Sequence, residues 1–288
     1  MEWLIRWLAR RSLRSLHAGG ALLGWLAYAA SGSYRRRLND HAALAGLSAA
    51  QRHAAIASAG RMVAELPRLW LRAPDAPLDG LVQWHAAELI DAALEAGRGA
   101  VLLTPHLGCW EITAQAYAER YADRTRLTVM YRPAKQAWLR ALEESSRARP
   151  GLHTVPAALS GVRQMIRALR RGDSVGLLPD QVPPSGMGEW APFFGRPAYT
   201  MTLATRLVQQ TGAALLLIWA ERLPAGRGYV LRVSRPEAIE SLDDSAGAAH
   251  INREMERLIR QCPAQYLWGY HRYKPPRRVN AAGEERAA

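Results

Sequence analysis

Gly99-Ala100-Val101-Leu102-Leu103-Thr104-Pro105-His106-Leu107-Gly108-Cys109-Trp110-Glu111 carries an apolar run, two chain breakers and the start of a second regular segment. Its apolar run from Ala100 to Leu103 reads as a buried strand. Pro105 and Gly108 break the chain, and Trp110 to Arg120 resumes with helical character. His106 therefore falls where a strand ends and a helix begins. In open α/β sheets ligands bind outside the carboxyl ends of strands, so the position suits a reacting group.

The His106–Glu111 spacing carries a geometric condition. On one continuous helix an i,i+5 pair would point roughly 140° apart, so the two meet only if His106 precedes the helix and Glu111 sits in its first turns. Glu111 then accepts a hydrogen bond from one imidazole nitrogen and leaves the other to take a proton from a hydroxyl. The spacing also fits a loop histidine beside a carboxylate that only favours the helix dipole. Cys109, three residues from His106, could be a nucleophile, but only a helix N-terminus favours its thiolate, and it reads as a packing residue. No set of residues completes a metal site around His106, Cys109 and Glu111.

Outward from this stretch, strand and helix patterns alternate. Leu47 to Leu71 reads as a helix that Ser48 could cap, Gly80 to Trp84 as an edge strand, and Leu89 to Leu94 as a short helix. Arg126–Tyr131, Leu152–Val155 and Ser174–Leu178 read as strands, and Ala137–Ala148, Val162–Arg171, Thr200–Gln210 and Ala246–Gln261 as helices. Ala213–Glu221 and Tyr229–Ser234 read as a hairpin. The expected fold is α/β, a mixed, largely parallel sheet flanked by helices.

Residues 1–33 stand apart. Arg6, Arg10, Arg11 and Arg14 alternate with Trp3, Leu4, Trp7, Leu8, Leu13 and Leu16, and no charge occurs from Ala18 to Ser33. That run is just short of the roughly 17–25 residues of a spanning helix. A tryptophan-anchored, arginine-rich helix lying on a membrane surface is expected, with a helix buried in the domain as the other reading. The expected organisation is a membrane-associated segment 1–33, one domain 34–278 and a flexible tail 279–288.

The chain has 288 residues, 49% hydrophobic and 22% charged, with a formal net charge of +13. Such a balance seeks polyanions: nucleic acid, acidic lipid headgroups or an acidic protein. No nucleic-acid motif is visible, and a nucleic-acid-binding protein would leave the apolar N-terminus and the His106–Glu111 pair unexplained. The two cysteines, Cys109 and Cys262, form no disulfide framework and fit a reducing cytosolic setting.

His106-x-x-x-x-Glu111 after a strand is followed by Gly172-Asp-Ser-Val-Gly-Leu-Leu-Pro-Asp180-Gln181, by Phe193-Phe-Gly-Arg-Pro-Ala-Tyr-Thr200 and by Gln265-Tyr-Leu-Trp-Gly-Tyr-His-Arg272. In this order the blocks resemble the late acyltransferases of bacterial lipid A biosynthesis, a branch of the lysophospholipid and glycerol-phosphate acyltransferase superfamily. The resemblance runs from the first hydrophobic segment to Arg278. It implies an O-acyltransferase on the cytoplasmic face of the inner membrane, moving a fatty acyl chain from an acyl-carrier-protein thioester to a hydroxyl of a lipid A precursor. Another glycolipid, an ornithine lipid or a glycerophospholipid is the alternative acceptor. No tightly bound cofactor and no nucleic-acid partner are implied.

On this resemblance His106 is the general base and Glu111 its orienting partner. Arg132, Arg147 and Arg149 match basic positions near the acceptor's phosphosugar, where guanidinium would pair phosphate bidentately; each alone could equally be a solvated arginine. Asp180 and Gln181 end a strand, so they should reach the face that carries His106, Asp180 orienting the acceptor or a basic neighbour, or only forming a turn. Phe193 and Phe194, with Trp190, could wall an acyl channel or pack in the core. Arg196 and Thr200 complete that block. Tyr266, Trp268, His271 and Arg272 match the closing motif, whose role the sequence does not give.

Overall fold

Serines start the helices at the N-terminus. The computed structural model describes residues 2–74, 76–78, 80–131, 136–237 and 243–277. Within them α1 (Glu2–Ala9) and α2 (Leu13–Ala30) are separate helices, because Ser12 adopts an extended conformation and its hydroxyl caps the Ser15 amide. Ser31 starts α3 (Gly32–Leu44) in the same way. Ser48 and Gln51 form a capping box at the head of α4 (Ala49–Trp70).

The charge-free run of α2 lies against α4 through glycines. A Cβ on Gly60 would stand 1.9 Å from the Gly20 carbonyl oxygen, and one on Gly24 would stand 2.2 Å from that of Ile56. Only a backbone without side chains can approach so closely. Leu13, Leu16 and His17 are buried on this face, whereas Leu22, Leu23, Trp25 and Leu26 on the other are exposed, as are Trp3 and Trp7 of α1. Among the described residues no helix is long and apolar enough to cross a membrane. The segment 1–33 is thus built into the fold along one side and bare along the other.

The rest is the expected α/β alternation: β1 (Val82–His85), α5 (Glu88–Glu95), β2 (Ala100–Leu103), α6 (Trp110–Tyr121), β3 (Leu127–Tyr131), α7 (Ala137–Arg147), β4 (Leu152–Pro156), α8 (Leu159–Arg170), β5 (Ser174–Leu177), β6 (Gly188–Phe193), β7 (Arg196–Met201), α9 (Leu203–Thr211), β8 (Ala214–Arg222), β9 (Tyr229–Ser234) and α10 (Asp244–Gln261). Seven strands form one sheet in the order β1-β9-β8-β2-β5-β3-β4. β8, β2, β5, β3 and β4 run parallel; β9 turns back antiparallel to β8, as the hairpin reading expected, and β1 pairs with it in parallel. β2 is buried at all four positions, as befits a strand covered on both faces.

One element departs from the sequence reading. Residues 188–201, to which the sequence patterns assigned no strand, form a two-stranded hairpin, β6 with β7, and α9 therefore begins at Leu203 rather than Thr200. Pro192 and Pro197 face each other across it and argue against a strand in sequence, but in a two-stranded ribbon both strands are edges and tolerate proline. Its turn is Phe194-Gly195, with Phe194 at φ +47° and Gly195 at φ +76°, not the Asn-Gly or Asp-Gly that signals such a turn.

Candidate active site

His106 and Asp180 meet because β2 and β5 are neighbours in register. Leu103 pairs with Leu177 in a parallel ladder, and each functional residue lies three positions past that pair. The Thr104 amide donates to the Leu177 carbonyl at 3.1 Å, extending the pairing one step further. Asp180 then receives two hydrogen bonds from His106, the backbone amide to Oδ2 at 2.9 Å and Nδ1 to Oδ1 at 2.7 Å. The second identifies Nδ1 as the protonated nitrogen. Gln181 places its amide nitrogen 3.0 Å from His106 Nε2, so that nitrogen accepts and carries the lone pair a base needs.

Asp180 is buried, which by itself pushes its carboxyl up; the His106 charge and the two hydrogen bonds outweigh this and hold it below its ordinary value. The carboxylate on the imidazole is thus that of Asp180, not the Glu111 carboxylate of the sequence reading. The physical reason is the register of two adjacent strands, which a five-residue local spacing cannot contain. Glu111 occupies the first turn of α6, lines the same cavity, and accepts the Trp70 indole N–H at 3.1 Å. The Trp110 ring stands edge-on to the imidazole with centroids 4.8 Å apart.

His106 and Gln181 open onto a cavity of ≈ 680 Å³. Val129, Met130, Val162, Leu177, Met201 and Leu203 give much of it an apolar wall, while Glu111, Glu143, Lys274 and Arg277 add charge to the lining. The volume lies within the usual range of small-molecule pockets, roughly 300–1,000 Å³.

The loop carrying His106 is gripped from both sides. The Gly108 amide donates to the Gln265 carbonyl at 3.0 Å, the Cys109 amide to that of Ala220 at 2.9 Å, and the Leu267 amide to that of His106 at 3.1 Å. Gly108 must be glycine: its φ is +62°, and a Cβ would stand 1.9 Å from the Ala220 carbonyl oxygen. The closing motif therefore has a structural task, to pair with the loop through residues 265–267. Tyr266, buried beside Asp180, has its hydroxyl pushed well above the usual phenol value by burial and by that carboxylate.

Other expected site residues lie elsewhere. Arg149 is buried, with its guanidinium donating to the carbonyls of Ser146, Ala73, Leu69 and Arg72 at 2.9–3.2 Å. Burial and the nearby Arg72 push it down to about 10. It fastens the C-terminal end of α4, whose last carbonyls lack helical partners, and spends four hydrogen bonds on backbone carbonyls where the resemblance implied a phosphate. Phe193 and Phe194 are buried against each other and against Tyr266, Tyr273 and Trp268, so they belong to the core and do not line the cavity. Arg196 stacks over Tyr273 at 4.8 Å. Thr200 is fully buried, accepting from Arg272 at 2.6 Å and bonding Asn252. The block 193–200 is thus a structural hairpin pinned by Arg272 and α10. Arg132 and the side chain of Arg147 lie outside the described residues, as does the tail 279–288. Cys109 is buried, and burial followed by the Glu65 charge pushes its thiol well above its ordinary value, which disfavours the thiolate. Among the described residues no cluster of metal-ligating side chains occurs.

The sequence reading did not find Tyr270, Lys274 or Arg277. Tyr270 accepts the Val182 amide at 3.0 Å, and all three line the cavity. Tyr270 stands inside the closing block, between the matched Trp268 and His271, and Lys274 and Arg277 lie just beyond it.

The site is thus a histidine with a buried carboxylate on Nδ1, set at the carboxyl end of a central parallel strand of an α/β fold and facing a partly apolar cavity. The chain belongs to the bacterial lipid A biosynthesis acyltransferase family, whose model matches residues 1–275. It is similar to the lipid A biosynthesis lauroyltransferase of Escherichia coli, 28% identical over 179 residues, 62% of this chain and 56% of that protein. It is also similar to the lipid A biosynthesis palmitoleoyltransferase of Escherichia coli, 28% identical over 145 residues, 50% of this chain and 47% of that protein. The phosphatidylinositol mannoside acyltransferase of Mycobacterium tuberculosis is 28% identical over 192 residues, 65% of this chain and 57% of that protein. These alignments span about half the length of the relatives.

Proposed function

We propose that the protein transfers a fatty acyl chain from an acyl-carrier-protein thioester to a hydroxyl of a lipid A precursor, by direct attack and without an acyl-enzyme. The carrying observation is His106, with Asp180 on Nδ1 and Nε2 directed at the apolar cavity. The acceptor hydroxyl displaces the Gln181 amide from Nε2 and gives up its proton there. The alkoxide oxygen forms a bond to the thioester carbonyl carbon, the carbon–sulfur bond breaks, and the imidazolium returns the proton to the departing thiolate. Asp180 keeps Nδ1 protonated and stabilises the imidazolium. Glu111 lines the cavity as a charged neighbour. The apolar wall takes the acyl chain, and the net charge of +13 favours an acidic carrier protein and an anionic membrane.

Attachment to the cytoplasmic face of the inner membrane uses the bare side of α1 and α2. Trp3 is 71% exposed and Leu22 63%, with Trp7, Trp25 and Leu26 on the same two helices and Arg6, Arg10, Arg11 and Arg14 between them. Removing residues 1–33 would open the core, so the test is substitution of Trp3, Trp7, Leu22 and Leu26 by glutamine. Flotation with anionic vesicles should weaken while the fold persists; unchanged flotation overturns this attachment.

The acceptor is tested by mass spectrometry of lipid A from cells with and without the gene, and by transfer to the purified precursor. A missing acyl chain supports the reading. Similarity to a phosphatidylinositol mannoside acyltransferase favours another glycolipid as the second reading. Intact lipid A with an altered glycolipid would select it.

A further inference from the structure

The mechanism leaves unused a buried charged cluster formed by α2, α4 and the ends of β8 and β9. Glu65 on α4 is fully buried and receives Arg222 twice, Nη2 to Oε1 at 2.5 Å and Nε to Oε2 at 2.8 Å. His17 of α2 and the Tyr229 hydroxyl each meet Glu65 Oε2 at 2.9 Å. Arg222 Nη1 reaches Ser58 at 3.2 Å, and the Arg222 backbone exchanges two hydrogen bonds of 2.9 Å with the Gln265 side chain. One further N–H leaves the cluster: Nη2 donates to the Gly108 carbonyl at 3.0 Å. Gly108 lies two residues past His106, in the loop whose neighbouring amides are held by Gln265 and Ala220.

We propose that Arg222 is a positioning residue for acyl transfer, fixing the His106 loop through the Gly108 carbonyl, with Glu65 holding the guanidinium in place. The inference rests on the function proposed above. A guanidinium is suited to the task because its planar fork serves a carboxylate with one edge and a carbonyl with a remaining N–H. Neither Arg222 nor Glu65 lines the cavity, so neither touches substrate. Hydrogen bonds behind a reacting group matter because a displacement of about 1 Å costs on the order of 10²-fold in rate. The cluster also joins α2, whose far side is the exposed apolar face, to the loop that carries the base.

The test uses Arg222→Lys, which keeps the charge for Glu65 and loses the fork, and the paired replacement Glu65→Gln with Arg222→Gln, which removes both charges and keeps hydrogen-bonding groups. Each is made in the full-length protein, alone and combined with His106→Ala. Assays run below the melting midpoint, with transfer followed from acyl carrier thioester to the lipid acceptor. Positioning predicts that kcat falls about 10- to 100-fold with KM for both substrates little changed. It further predicts that the same change leaves the residual rate of the His106→Ala protein unaltered. A folded variant with the kcat of the unmodified protein overturns the proposal. Equal losses with and without His106 overturn it too, since they report general structural damage. Failure of both variants to fold makes the cluster a folding element only, and also overturns it. Absence of transfer by the unmodified protein would instead reject the acyltransferase reading itself.

Discussion

Two carboxylates in this protein are each held below their ordinary value by a basic partner, and they serve opposite ends. Asp180 binds one nitrogen of His106 and leaves the other facing a cavity, the imidazole keeping 12% of its side-chain surface exposed. Glu65 binds Arg222 in a site where every N–H of the guanidinium has an acceptor and neither side chain exceeds 3% exposure. An imidazole whose second nitrogen meets only a displaceable amide beside a cavity can exchange a proton; a guanidinium fully spent cannot, and fixes backbone instead. Burial and charge do not distinguish the two sites. Access to a lone pair does.

The largest effect should come from breaking the first pair. His106→Ala removes the proposed base and should lower transfer by roughly 10²–10⁴, the scale of positioned proton transfer. Asp180→Asn keeps the shape and loses the charge that stabilises the imidazolium, so it should fall within the same range. Glu111→Gln should cost less than about tenfold, because Nδ1 remains on Asp180. Single-turnover transfer measures all three. A Glu111→Gln loss equal to that of Asp180→Asn would return the orienting role to Glu111.

Breaking the second pair should act on stability. Glu65→Ala leaves Arg222 charged and buried, at a cost of about 3–5 kcal/mol, read from urea unfolding. Acid has the same target. Burial raises the Glu65 carboxyl, but Arg222, followed by His17, brings it down from 4.5 to about 2. A carboxyl depressed in the folded state contributes fully above its unfolded value and loses that contribution as pH falls through the folded one. Stability should therefore decline from about pH 4.5 toward pH 2, by on the order of 3 kcal/mol from this group. Asp180 shifts the same way and adds to the decline. The acid slope should flatten in Glu65→Gln; an unchanged slope would assign the titration elsewhere.

The contrast also explains what was legible in the sequence. The strand–break–helix pattern from Gly99 to Glu111 disclosed the fold class and the site of His106, because strand ends and chain breaks are local properties. The partner of His106 was not local: it depends on β2 lying beside β5, and no spacing within one segment encodes adjacency. For Arg149 and the block 193–200 the sequence left two readings open for a related reason. An arginine that binds four carbonyls and one that binds a phosphate look alike in sequence, and the difference is where α4 ends. The glycines at 20, 24 and 60 carried a readable hint that α2 packs on another helix, overshadowed by the absence of charge around them.

Arg149 should give an effect of intermediate size. Arg149→Ala removes four charge-assisted hydrogen bonds, three from carbonyls near the end of α4 and one from Ser146 in α7, and some of these carbonyls then reach water, so about 2–3 kcal/mol of stability should be lost. KM for the acceptor should hold. A selective rise in that KM, with stability intact, would restore the phosphate role.

Cys109 offers the smallest and most discriminating change, because it belongs to both regions by position. It follows Gly108 in the His106 loop and lies beside Glu65 and Arg222 in the buried cluster. A nucleophile there would face the cavity as a thiolate. Instead the side chain is 2% exposed and burial opposes ionisation. Cys109→Ser is nearly isosteric, and its hydroxyl stands beside Glu65, an acceptor, so the cost should stay below about 1 kcal/mol. Transfer should remain within about threefold, since neither the base nor the Gly108 carbonyl contact is touched. Unfolding and single-turnover transfer are measured on the same preparation, with mass spectrometry of the intact protein after mixing with the thioester. A stable acyl adduct on Cys109, lost together with transfer in the serine protein, would move this residue from the sealed cluster to the reacting one and replace direct attack with a covalent route.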